Sequence, residues 1–179
     1  MNHHEIFSLR RSVRNYLDKP IPREMLVACA EAARIAPSAC NSQPWEFIIA
    51  DNPGIVKKLA DASFGPLIKF NKFVPGAKAI AAVITKRPNI ISQIGGFLKK
   101  REFNLLDTGM ACENFCLQAA ALGLGTCMLG WFDEKTVKKI LSIPPDRRIA
   151  LLISIGFPAD TPSEKKRKSL EEMCRFNKY

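Results

Sequence analysis

A chain of 179 residues with 47% hydrophobic and 25% charged side chains has the make-up of a single globular domain with a sizeable core. Lys and Arg number 27 against 17 Asp and Glu, and this net charge of +10 favours an anionic partner: nucleic acid, an acidic membrane surface or a phosphorylated small molecule. No run approaches the ~20 apolar residues of a membrane-spanning helix, and arginines at 10, 11 and 14 stand where a signal peptide needs its apolar segment.

In chain order, His3–Leu9 is predicted as a short helix leading into Arg10-Arg11-Ser12-Val13-Arg14. Guanidinium is always charged and offers a planar fork of donors, so this cluster suits a phosphate. A solvated basic helix end would look the same. Pro22 opens a helix to about residue 35, with Met25, Leu26, Cys29, Ala30 and Ala33 on its inner side. Residues 36–45 (APSACNSQPW) combine two prolines with small polar groups and read as a loop.

A strand is predicted over Trp45–Ala50, and a helix opens at Pro53 behind Asp51 or Asn52. Residues 65–78 are irregular, with Asn71 in their middle, and Ala79–Thr85 is a short buried strand. Residues 86–103 are weakly patterned, broken by Pro88, Gly95 and Gly96; Phe97 and Phe103 either pin this stretch or cover a ligand.

The clearest helix starts at Phe103. Leu105, Gly109, Cys112, Cys116 and Ala119 recur at steps of three and four, and Ala111, Phe115 and Leu122 widen that face. Only Asp107, Glu113, Asn114 and Gln118 break an otherwise apolar surface, so this helix is buried in a core or against another subunit. Gly123 ends it. A third strand follows over 126–130, Asp133 caps a helix to Leu141, and 148–155 is the most apolar strand. The tail from about 158 to 179 is basic at Lys165-Lys166-Arg167-Lys168, yet apolar enough near its end to pack on the core or on a partner subunit.

Several chemistries lack their parts. Both histidines, His3 and His4, sit at the extreme terminus, which leaves little for a Ser/His or Cys/His nucleophile. Six cysteines without a CxxC pair read as reduced thiols of a cytoplasmic protein; Cys112 and Cys116, spaced i,i+4, read as small core residues and not as metal ligands. Gly123-Leu124-Gly125 has Met128 where a dinucleotide fingerprint needs its third glycine, and it follows a helix and precedes a strand, the reverse of the required order. With aromatics at 8% and no recognisable nucleic-acid motif, the charge fits a phosphate better than a nucleic-acid track.

Four blocks in register resemble the nitroreductase-like FMN flavoprotein family: Arg10–Arg14, Ala36–Phe47, Ala121–Thr126 and Gly130–Asp133. The resemblance covers nearly the whole chain, as one domain over 1–179. It implies an α+β fold with a mixed central sheet flanked by helices, in a domain-exchanged homodimer with FMN at the subunit interface and no metal. By motif position it implies that Arg10, Arg11, Ser12 and Arg14 bind FMN, and that Lys165 and Arg167 close on its phosphate. Pro37, Ser38, Ala39 and Asn41 would line the flavin from the other subunit, and Asn71 would meet the pyrimidine edge. Leu129 and Gly130 would offer backbone near flavin N5, so no side chain need act as a nucleophile.

The implied activity is two-step hydride transfer from NADPH or NADH, through FMN, to a small-molecule acceptor such as a nitroaromatic or quinone. The alternatives are flavin storage without turnover, or a relative with dehalogenase or flavin-degrading chemistry. Three departures stand out: a short 86–103 segment where larger members roof the flavin, Leu129 and Gly130 with bulky Trp131 beside them where some carry a glutamate, and Cys40 inside the flavin-lining loop, a thiol that either reacts with electrophiles or packs.

Overall fold

The computed structural model describes residues 3–64, 71–87, 96, 101–160 and 164–179. Four strands, β1 (Trp45–Ala50), β2 (Ala79–Thr85), β3 (Gly125–Leu129) and β4 (Arg148–Gly156), form one sheet in the order β1-β2-β4-β3. All three pairings are antiparallel; the resemblance implies a mixed sheet, and the parallel pairing within this chain is an isolated bridge between Ser12 and Thr126. The α-helices bounded among the described residues are α1 (His3–Leu9), α2 (Arg23–Arg34), α3 (Pro53–Asp61), α4 (Phe103–Ala121), α5 (Glu134–Leu141) and α6 (Leu170–Met173).

Strand alternation divides the core in two. Ile80, Ala82 and Ile84 point to one face of β2 and pack with Val56 and Leu59 of α3 and Val137 of α5. Ala79, Ala81 and Val83 point to the other, against Leu26, Cys29 and Ala33 of α2 and Ala111, Cys112 and Phe115 of α4. Burial on both faces explains why β2 reads as a continuous apolar run. The Phe115 ring stacks on Phe47 of β1 with centroids 5.5 Å apart, a contact that contributes about 0.5–1.5 kcal/mol beyond its burial.

The element ends follow capping chemistry. Asn52 accepts from the amides of Gly54 and Ile55, and Asp133 from that of Thr136 at 3.1 Å. At the end of α4, Leu124 N–H donates to Ala119 O at 2.8 Å and Gly123 N–H to Ala120 O at 3.0 Å, with Gly123 at φ +77°. That is a Schellman motif, and it turns the chain directly into β3. The 86–103 segment lies largely outside the described residues, Pro88, Gly95 and Phe97 included.

The exposed large apolar side chains include two groups, one on α4 and one in the tail. On α4, Leu105, Leu106 and Met110 are exposed, Leu106 to 56%. In the tail, Leu170, Met173 and Phe176 are exposed, Phe176 to 84%, so its apolar side chains do not pack on the chain's own core. Among the described residues no helix is long and apolar enough to cross a membrane.

Candidate active site

The arginine cluster lies on a strap that crosses the end of the sheet. Val13 N–H donates to Thr126 O at 2.9 Å and Leu17 N–H to Phe157 O at 2.8 Å, while Tyr16 bridges Pro158. The strap lies close because Gly125 and Gly156, register partners across β3 and β4, carry no side chains. A Cβ at Gly125 would lie 2.6 Å from Val13 Cγ2, and one at Gly156 2.6 Å from Tyr16 Cδ1. The Tyr16 hydroxyl donates to Val13 O at 2.8 Å and lies 2.8 Å from Ser154 Oγ. Burial raises its pKa above the usual phenol value, so it stays a neutral donor.

Arg10 and Arg11, with Gly123, Gly125 and Thr126, line a cavity of about 170 Å³. Lys165 arrives from the other end of the chain, and its Nζ donates to Phe7 O of α1. Burial, then the charges of Arg10, Arg167 and Arg11, hold its pKa below the ordinary lysine value; Glu113 opposes them. Cations from both ends therefore share one local field. Glu113 of α4 partly balances it, 3.0 Å from Arg10 Nε. A positive field this dense around a small cavity fits a phosphate group.

Arg14 extends the cluster sideways: it donates to Ser12 O at 3.4 Å, and its guanidinium lies 5.9 Å from the Phe73 ring centre. Two residues before Phe73, Asn71 is 5% exposed, and its Nδ2 donates to Ser63 O at 3.0 Å and Trp131 O at 2.9 Å. Two carbonyl acceptors fix which end of the amide is nitrogen. Its donors are committed to holding the turn after β3 in place, which leaves Oδ1 as the atom to offer a ligand. Leu129 ends β3 buried, Gly130 follows exposed, and Trp131 is 60% exposed on a backbone pinned by Asn71.

Residues 37–43 sit elsewhere. Pro37 and Asn41 are exposed, and a 3₁₀ turn runs over Ala39–Asn41. Ala39 N–H donates to Asp107 Oδ2 of α4 at 3.1 Å, and Gln43 N–H to Ser38 Oγ at 2.9 Å. Asp107 and Glu113 are six residues apart on one helix, about 9 Å along its axis and a third of a turn round. A single chain thus holds this loop and its arginine cluster at separate places on α4.

Glu113 and Asp107 are anchors that the sequence reading did not assign. Their signal was available, since both interrupt the apolar surface of α4. The buried thiols have no such role: burial raises Cys29 and Cys112 to about 12 and Cys116 to about 11, far from reactivity at neutral pH.

The nitroreductase family model matches residues 8–157, and the chain belongs to that family. It is 32% identical over 157 residues, 84% of this chain and 82% of the other, to an Archaeoglobus fulgidus protein named for NADH dehydrogenase or NAD(P)H nitroreductase activity. It is similar to the crystal structure of a nitroreductase family protein from Clostridium novyi, with TM-score 0.78 and 27% identity, covering 92% of this chain and 89% of that one. An FMN-dependent nitroreductase from Clostridium difficile shares the fold at TM-score 0.78 and 23% identity, over 97% of this chain and 98% of its own.

Proposed function

We propose that this protein is an FMN-dependent NAD(P)H oxidoreductase that reduces nitroaromatic or quinone acceptors and works as a homodimer. The observation that carries the reading is that Arg10 and Arg11 line one small cavity while their charges, with that of Arg167, act on Lys165 from the far end of the chain; together these cations would supply the charge a flavin phosphate needs. Bound there, FMN would supply the hydride chemistry between nicotinamide and acceptor. The protein supplies position and field.

Arg10 and Arg11 would hold the phosphate from the strap, with Ser12 and Arg14 beside them. Lys165 and Arg167 would close on it from the tail. Asn71 would present Oδ1 to a donor on the pyrimidine ring, and the backbone of Leu129 and Gly130 would face N5. Pro37, Ser38, Ala39 and Asn41 would reach the flavin from the partner subunit, consistent with their separation from the arginines along α4. The exposed Leu105, Leu106 and Met110 support pairing through α4, because apolar patches of this kind mark interfaces.

The test is a visible spectrum of the purified protein, followed anaerobically as NADPH and then NADH is added. A bound-flavin spectrum that bleaches with either nicotinamide and recovers with a nitroaromatic or quinone supports the reading. A flavin that neither nicotinamide bleaches contradicts the oxidoreductase, and a colourless protein that takes up no FMN contradicts the cofactor.

A further inference from the structure

The loop over residues 37–43 is unusual in its backbone. Cys40, Asn41 and Gln43 all have positive φ, at 50°, 53° and 45°. Left-handed geometry costs about 1–3 kcal/mol at a side-chain-bearing residue and persists only where surrounding contacts enforce it. Gln43 supplies some of that enforcement, since its Nε2 donates to Asn41 O at 3.1 Å and to Asn41 Oδ1 at 3.0 Å.

The start of the 3₁₀ turn is held differently. Ser38 occupies the N-cap position, yet its side chain makes no cap hydrogen bond; its Oγ is taken by Gln43 N–H. The Ala39 N–H is met instead by Asp107, which is 3% exposed and lies 68 residues further along the chain. A carboxylate is a strong acceptor at a helical N-terminus, where backbone N–H groups lack partners within the turn. Asp107 stands on α4, whose Ala111, Cys112 and Phe115 are fully buried, so the loop is tied to a rigid part of the molecule.

We infer that Asp107 is a positioning residue for the flavin-lining loop: by capping the Ala39–Asn41 turn from within α4, it holds Pro37 to Asn41 in the shape that meets the cofactor. This rests on the functional reading above, and extends it to a residue that touches neither phosphate nor flavin.

The test uses the full-length protein carrying Cys174→Ser, in which Cys40 is the exposed thiol and the other four are buried. Two quantities are read: FMN affinity from quenching of flavin fluorescence, and the rate of Cys40 alkylation by a maleimide in the FMN-free protein. Asp107→Ala is expected to change each by at least about tenfold, the size of a lost charge-assisted hydrogen bond. Asp107→Asn keeps an acceptor and is expected to restore both to within about threefold.

Should Asp107→Ala fail to fold, Ala39→Pro removes the donor alone and is expected to show the same two changes. Ser38 before it already has the extended backbone that proline requires of its predecessor (φ −150°, ψ 153°). Both quantities within about twofold of the parent in Ala39→Pro or Asp107→Ala would overturn the inference. So would faster alkylation with unchanged FMN affinity, or Asn damage as large as that of Ala. A parent protein that binds no FMN would instead sink the functional reading, leaving the alkylation rate to decide whether Asp107 holds the loop.

Discussion

The strap over residues 10–17 and the loop over 37–43 solve different problems. The strap is extended backbone, hydrogen-bonded to Thr126 and Phe157 at the end of the sheet and seated on two facing glycines. The charges of its Arg10 and Arg11 act on Lys165 of the same chain, so the proposed phosphate end of the site draws on one subunit. The loop holds three left-handed residues and leaves Pro37 and Asn41 exposed. It is tied to α4 through Ala39 and Asp107, away from the arginine cluster. In the proposed function the first region serves the flavin of its own subunit and the second that of a partner.

The largest expected effect tests the seat of the strap. Gly156→Val would drive a side chain into the Tyr16 ring and should cost about 2–3 kcal/mol in denaturant unfolding, with FMN binding falling alongside. Lost stability with intact FMN affinity would show that the strap does not place the arginines. Next, Arg10→Ala should weaken FMN binding by about 1.5–3 kcal/mol in a titration, while stability moves by less than about 1 kcal/mol because Glu113, its ion-pair partner, keeps 46% of its side chain exposed and can be hydrated when the arginine is gone.

The strap and the loop were unequally legible in the sequence. The spacing of Leu105, Gly109, Cys112 and Cys116 sufficed to find α4, because a helix buried over most of its surface repeats its apolar residues with its own period. Arg10 to Arg14 were visible as a charge cluster; basic clusters at both ends of the sequence suited convergence on one phosphate, and the resemblance singled out Lys165 and Arg167. The pairing of Gly125 with Gly156 depends on which strands become neighbours, and no local pattern encodes that. The contact from Asp107 to Ala39 spans 68 residues and shows locally only as a polar side chain in an apolar helix. Asn71 was singled out by resemblance as a flavin contact, and its bonds to Ser63 and Trp131 needed the folded chain. The tail's apolar residues suggested docking, and the single chain leaves them exposed.

Smaller effects bear on the same contrast. Tyr16→Phe should lower stability by about 1 kcal/mol through loss of the Val13 contact, with FMN affinity nearly unchanged. Lys165 should leave a signature in the pH dependence. Its folded-state pKa lies below the unfolded value, so between the two the unfolded chain binds more protons and stability rises with pH. The repulsion is fully present below the folded pKa and is relieved as pH climbs towards the ordinary lysine value of about 10.4. Thermal midpoints of the FMN-free protein should therefore rise through this window relative to those of Lys165→Met, and added inorganic phosphate should flatten the difference. Parallel profiles would mean that Lys165 lies outside the field of the arginines.

The most direct measurement compares FMN with riboflavin, which lacks the phosphate, in equilibrium titrations of the FMN-free protein and its Arg10→Ala variant. With cations from both ends of the chain gathered on the phosphate, FMN should bind at least about a hundredfold more tightly than riboflavin, and the ratio should collapse in the variant. Equal affinities for the two flavins in the unmutated protein would contradict a phosphate site at the arginine strap.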